Sequence, residues 1–197
     1  IYIGVEPGTY DSNNIPKIFT LTITNSINNG EIYGENNVGG IFGRNIVAKV
    51  SNNEFVQNND QLSAITIKNC INNEKVSGLD RVGGIAGFTK PAFTLDSCEN
   101  TGEVSGNQDV GGIVGGSLGG NIYDSNSSAT VIGAEMGVCT SGKGAAGGIA
   151  GVVTAGTVYN CSNTGSVTAG VMADGESLAA GIVGFGARLS EDSNIVI

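Results

Sequence analysis

A chain of 197 residues without histidine has thiols, carboxylates, lysines and glycine-rich loops left for chemistry. Four cysteines occur. Three of them, Cys70, Cys98 and Cys161, occupy one position of a recurring pattern whose other copies carry Ser26 and Ser125. A residue that exchanges Cys for Ser marks a small internal slot, and a nucleophilic thiol would need a base that the chain cannot supply as histidine. Cys70 and Cys98, one repeat apart, would fall within the Cα range of a disulfide. Equivalent side chains in a ladder point in parallel, however, so free buried thiols are expected. Cys161 faces Ser125. No C-x-x-C spacing exists, and a zinc site is not expected.

Two phosphate-loop patterns overlap in the stretch 137–147. Residues 137–144 nearly fit G-x-x-x-x-G-K-[ST], with Lys143 in place, and residues 142–147 fit G-x-G-x-x-G. The first lacks the hydroxyl that would hold Mg²⁺, and neither precedes a credible helix. Among 33 glycines such matches arise by chance. Carboxylates could serve a glycosidase or lyase only if two or more converged from neighbouring repeats on one face. Glu31 and Glu103 share a repeat position, but Lys75 stands between them and Thr130 and Ser166 follow. Asp109 aligns with Arg81 and Asn37. No acidic column accumulates. The sequence therefore assigns no catalytic, cofactor-binding or metal-ligating residue and predicts a chain that is not an enzyme.

What positions these residues is a repeat. Val82-Gly83-Gly84-Ile85-Ala86-Gly87 has near copies at 38–43, 110–115 and 146–151 and a worn one at 179–184. Each follows an Asn-Cys or Asn-Ser step, or a variant of it such as Ser97-Cys98, and then a stretch of the type Asn-x-Gly-x-Val-x-Gly, as in residues 100–106. Closing glycines at 43, 87, 115, 151 and 184 put the shortest spacing at 28 residues, between Gly87 and Gly115, and the excess elsewhere is insertion. The repeats are read as 18–43, 65–87, 93–115, 120–151 and 156–184, with a partial sixth at 187–197, in one domain spanning 1–197. Insertions fall at 44–62, a hairpin candidate, and at 134–144 and 171–176. Residues 1–17 read as the tail of an earlier coil plus a turn.

Short Val/Ile runs punctuated by Gly, Asn, Ser and Thr read as strands and tight turns, so the class is all-β. A unit this size holds three strands of four to six residues, one with Ile65 and Ile67, one with Val76, one with Val82 and Ile85. None buries its apolar side alone. Stacked in register, equivalent strands pair and their apolar positions form internal columns. The result is a parallel β-solenoid of about five to six coils, right-handed by the crossover rule. Glycines of Val-Gly-Gly-Ile serve positive φ or close backbone approach, and the repeated Asn28, Asn72, Asn100 and Asn163 serve turns or a side-chain ladder.

The repeat resembles the GLUG motif of bacterial surface and secreted proteins, through the Asn-Cys step, the Asn-x-Gly-x-Val-x-Gly stretch and Val-Gly-Gly-Ile-x-Gly. The resemblance implies an extracellular or cell-surface location and a role as spacer or adhesive module. Relatives of this kind also stand beside immunoglobulin-A-specific metallopeptidases, but no peptidase residue carries over, because H-E-x-x-H needs histidine. Partners would be a host or matrix glycan or protein held by the insertion loops. A carbohydrate-binding or carbohydrate-cleaving β-helix is the alternative, with Tyr33, Phe42, Phe88, Tyr123, Tyr159 and Phe185 as its only sources of exposed rings. A self-assembling filament subunit, associating end to end, is another. Nine basic residues against eighteen acidic, net charge -9, disfavour nucleic acid. No apolar run spans a membrane. With neither an initial Met nor a signal peptide, the sequence reads as processed or as a fragment.

Overall fold

The computed structural model describes residues 2–5, 19–44, 46–51, 54–57, 63–133, 144–170, 178–187 and 194–197. Among them every regular element is a β-strand. Apolar and polar residues alternate in Ile65-Thr66-Ile67-Lys68 and Phe93-Thr94-Leu95-Asp96, which places Ile65, Ile67, Phe93 and Leu95 inside and the polar partners outside. Each coil then pairs with the next, parallel and in register.

Five sheets run along the stack. Sheet I joins Phe19–Thr24, Ser63–Lys68, Phe93–Asp96, Asn121–Tyr123, Gly156–Tyr159 and Ile195–Val196. Sheet II joins Ile27–Asn28, Ile71–Asn72, Glu99–Asn100, Asn126–Ser127 and Ser162–Asn163. Sheet III is built from Ile32–Tyr33, Val76–Ser77, Val104–Gly106, Val131–Gly133 and Val167–Ala169. Sheet IV holds Asn36–Gly39, Asp80–Gly83, Gln108–Gly111, Ala145–Gly147 and Leu178–Ala180, and sheet V holds Phe42–Arg44, Ala86–Thr89, Val114–Ser117, Ala150–Val153 and Val183–Gly186. The architecture is a parallel β-solenoid of five coils with the start of a sixth.

Each coil thus has five short strands, where the sequence suggested three longer ones. The polar steps are the reason. Every Asn-Cys or Asn-Ser step, every Asn-x-Gly and every Gly-Gly-Ile makes a corner, so segments of two residues become strands in their own right. Val82 and Ile85 do not share one strand: Val82 lies in Asp80–Gly83, and Ile85 sits at the corner before Ala86–Thr89. That corner carries a continuous column through the molecule. The Ile41 amide donates to the Ile85 carbonyl at 3.1 Å, Ile85 to Ile113, Ile113 to Ile149 and Ile149 to Ile182, each of these at 2.9 Å.

Glycine follows from crowding here, not from φ. A Cβ on Gly83 would strike the Ala86 carbonyl and lie 2.6 Å from the Gly115 amide nitrogen. Left-handed backbone instead falls on Asn25, Asn69, Ser97, Asp124 and Asn160, between sheets I and II, and on Asn37, Arg81 and Asp109 in sheet IV. Inside, one apolar cluster gathers Ile65, Ile67, Ile85, Leu95, Ile113 and Ile149. A second is a valine bundle of Val76, Val82, Val104, Val110 and Val131.

In the 44–62 insertion, Ile46–Ser51 and Glu54–Gln57 pair antiparallel, the hairpin the sequence suggested. Tyr2–Val5 pairs parallel with Ile46–Ser51, so this segment extends the insertion instead of closing an earlier coil. Of the other two insertions, residues 134–143 and 171–177 lie outside the described residues.

Candidate functional site

The thiol slot is internal. Cys70 and Cys98 are buried and free, and Cys161 is half-buried and free. Each hydroxyl or thiol of the column donates to the carbonyl two residues earlier: Ser26 to Thr24 at 3.1 Å, Cys70 to Lys68 at 3.4 Å, Cys98 to Asp96 at 3.5 Å, Ser125 to Tyr123 at 2.7 Å and Cys161 to Tyr159 at 3.4 Å. Burial pushes the Cys98 thiol up to about 12 and raises that of Cys161. A thiol held protonated and hydrogen-bonded is chemically quiet. Cys139 and Lys143 lie outside the described residues. The remainder of the second glycine pattern leads into the strand Ala145–Gly147, not into a helix N-terminus.

The repeated asparagines form a directional ladder. Asn28 Nδ2 donates to Asn72 Oδ1 and Asn72 Nδ2 to Asn100 Oδ1, both at 2.7 Å. Each also donates to a carbonyl two residues on, Gly30, Glu74 and Gly102 respectively. The second glycine of each Val-Gly-Gly-Ile makes room for the same column one coil on. A Cβ on Gly40 would lie 2.6 Å from Asn72 Oδ1, and one on Gly84 would overlap Asn100. Glycine pair and asparagine are one device, read as two in the sequence.

Charges neutralise one another between coils. Lys75 meets Glu103 at 2.8 Å and Lys68 meets Asp96 at 2.6 Å. The hydrogen bond from Lys68 holds the Asp96 carboxyl below the usual carboxylate range. Arg81 reaches Asp80 at 3.3 Å and Asp109 at 3.9 Å, and its guanidinium lies 4.8 Å from the centre of the Phe88 ring. Burial lifts the Asp109 carboxyl to about 6, helped by the charge of Asp80 and opposed by Arg81. Among the described residues no group of three or more His, Cys, Asp or Glu could hold a metal ion.

The aromatic residues divide. Phe42 is buried, its ring centre 5.7 Å from that of Phe93. Phe88 is half-buried beneath Arg81, and Phe185 is partly buried on sheet V. Tyr33 stands alone and exposed on sheet III. Tyr123 and Tyr159, by contrast, are direct register partners on the outward side of sheet I. Beside them the next residues, Asp124 and Asn160, turn the corner in left-handed backbone at φ 48° and 51°, and Asn160 Nδ2 donates to Asp124 Oδ1 at 2.5 Å. The sequence did not single out this quartet. Its signal was the recurrence of Tyr-Asp-Ser and Tyr-Asn-Cys at one repeat position, one residue out of phase with the buried Ile122 and Val158.

No helix among the described residues is long and apolar enough to cross a membrane. No curated protein matches the chain, and no solved structure does. The family model of the GLUG motif matches residues 106–132. That stretch starts at Gly106 in sheet III and ends one coil later at Ile132 in the same sheet, so residues 106–132 carry a GLUG motif one coil long, in a stack whose other coils share its register, consistent with a GLUG-motif repeat region.

Proposed function

We propose that this chain is a non-enzymatic β-solenoid module of a bacterial cell-surface or secreted protein, serving as a stiff spacer that presents adhesive surfaces. The observation that carries the reading is the hydrogen-bonded isoleucine column through all five coils. It makes the stack one continuous body in which each coil is held by its neighbours, the property a spacer needs. Among the described residues the buried thiols donate to backbone carbonyls, the repeated asparagines donate to one another, and Lys68 and Lys75 pair with carboxylates of the next coil. The hairpin strands Ile46–Ser51 and Glu54–Gln57 belong to a sheet separate from the five stacked ones, and an insertion of this kind is a natural place for a partner.

Three measurements test the reading. Protease shaving of intact cells that produce the parent protein should release peptides of this chain before lysis. Pulling on the chain by its ends should show discrete, coil-sized unfolding steps, and a compliant, featureless extension would remove the spacer role. Incubation with polysaccharides and with proteins should yield no new reducing ends and no new peptides; either product would make the module an enzyme.

A further inference from the structure

The geometry points to a glycan-binding site on the outward side of sheet I, formed by Tyr123, Tyr159, Asp124 and Asn160. The inference deepens the adhesive half of the proposed function and rests on it. Tyr123 and Tyr159 project from paired strands one coil apart, at about 4.8 Å between strands. Tyr159 is 63% exposed and Tyr123 is half-buried. A flat aromatic ring on a rigid sheet offers an apolar surface to the axial C–H face of a sugar, and a tyrosine ring loses little conformational freedom in doing so.

The polar half of the site lies one residue along, where Asp124 and Asn160 are both exposed. Their hydrogen bond uses Asp124 Oδ1 and Asn160 Nδ2, which leaves Asp124 Oδ2 and Asn160 Oδ1 as acceptors. Two neighbouring acceptors beside an aromatic platform match two neighbouring sugar hydroxyls, which are donors. Both residues are fixed by their corner backbone, so no loop has to be ordered on binding. The adjoining column adds Asn121 and Thr157, also register partners. None of the first three coils has this combination. At the tyrosine position coil one carries Thr24, coil two Lys68 and coil three Asp96, the last two locked in an ion pair.

The expected ligand is neutral and extended. A chain charge of -9 and the Asp124 carboxylate repel uronic or sialic acids. One coil advances by about the length of one sugar in an extended β-linked chain, so consecutive sugars can meet Tyr123 and Tyr159 in turn.

The experiment is calorimetric titration of the chain with neutral β-linked hexasaccharides of glucose, xylose, mannose and N-acetylglucosamine, and with polygalacturonate as the acidic control. Binding of at least one neutral oligosaccharide is expected, weakened about tenfold or more by Tyr159→Thr and by Tyr123→Thr. Threonine is chosen because Thr24 occupies that column in coil one, so both variants should melt with the parent. Tyr33→Thr, on sheet III, should leave binding unchanged. Failure of every neutral sugar to bind, preference for polygalacturonate, or binding untouched by both tyrosine variants would each overturn the site. None of these would disturb the spacer reading, which the shaving, pulling and cleavage assays decide separately.

Discussion

Coil two and coil one are built from the same pattern and end up differently. In coil two Ile67, Cys70, Val76, Val82 and Ile85 are all wholly buried. Of their counterparts in coil one, Ile23, Ile32 and Ile41 are only partly so, and Val38 alone is buried. Coil five repeats the contrast, with Cys161, Val167 and Ile182 packed against the core but not enclosed. Among the described residues, coil two pairs with a coil on each side in all five sheets, whereas coil one pairs with coil two alone and coil five meets the sixth coil only in sheet I, so the burial follows the number of shared interfaces. Stability in this molecule is therefore a property of position in the stack.

The sharpest way to break that contrast is to make the same substitution at both levels. A side chain at Gly84 would overlap Asn100 and the Gly112 carbonyl, and one at Gly40 would meet Asn72 and the Gly84 carbonyl. Gly84→Val has to separate coils two and three, with companions on both sides. We expect a loss of about 4 kcal/mol or more, read by denaturant unfolding, with amide exchange accelerated through several coils. Gly40→Val can be relieved by peeling coil one away, so its loss should be about half and its exchange effect confined to that coil. Equal losses at the two sites would refute position dependence. Truncation within the isoleucine column makes the same point more gently. Ile85→Ala removes a fully buried side chain and should cost about 3 kcal/mol, whereas Ile41→Ala, only partly enclosed, should cost about 1–2 kcal/mol.

The contrast also explains what could be read in advance. The repeat, the parallel stacking and the shared cysteine slot were legible because they recur, and recurrence survives without coordinates. The five-sided cross-section was not, because Ile71–Asn72 and Val76–Ser77 are two-residue strands whose pairing partners lie a whole coil away in sequence. The division of labour between glycine and asparagine was also hidden. Gly84 and Asn100 are adjacent only across the coil boundary, and the left-handed positions between sheets I and II fell three residues before the asparagines that the repeat made conspicuous. Tyr123 and Tyr159 were visible as aromatics, but only the register showed that they stand together while Tyr33 stands apart.

A pH dependence should belong to the middle of the stack and not to its end. Asp109 is lifted from the ordinary 3.8 to about 6, mainly by burial, and its counterpart in coil one is the uncharged Asn37. A carboxyl whose pKa is raised on folding binds its proton more tightly in the native state. Its contribution is therefore complete below about pH 4 and is lost as pH rises through about 6. Melting between pH 4 and 7 should reveal a component of about 2 kcal/mol that declines with rising pH. Asp109→Asn should abolish that component while leaving the ion pair between Lys68 and Asp96 in place. A slope that survives the substitution would place the titration elsewhere.

The smallest effect is expected where the two regions should agree. The slot that holds Cys98 in the middle of the stack holds Ser26 near one end and Ser125 one coil on, and both serines donate to the same type of carbonyl as the thiol does. Cys98→Ser therefore keeps the donor and shortens its bond, and should change stability by less than about 1 kcal/mol, as should Cys161→Ser. Reactivity, unlike stability, should still separate the two sites. With Cys139 replaced by serine, alkylation at pH 8 followed by mass spectrometry should modify Cys161 before Cys98, because Cys161 is half-buried while Cys98 is sealed and held near 12. If Cys98 reacted first, the middle coils would have to open more readily than the fifth, and the link between neighbours and local stability would be lost.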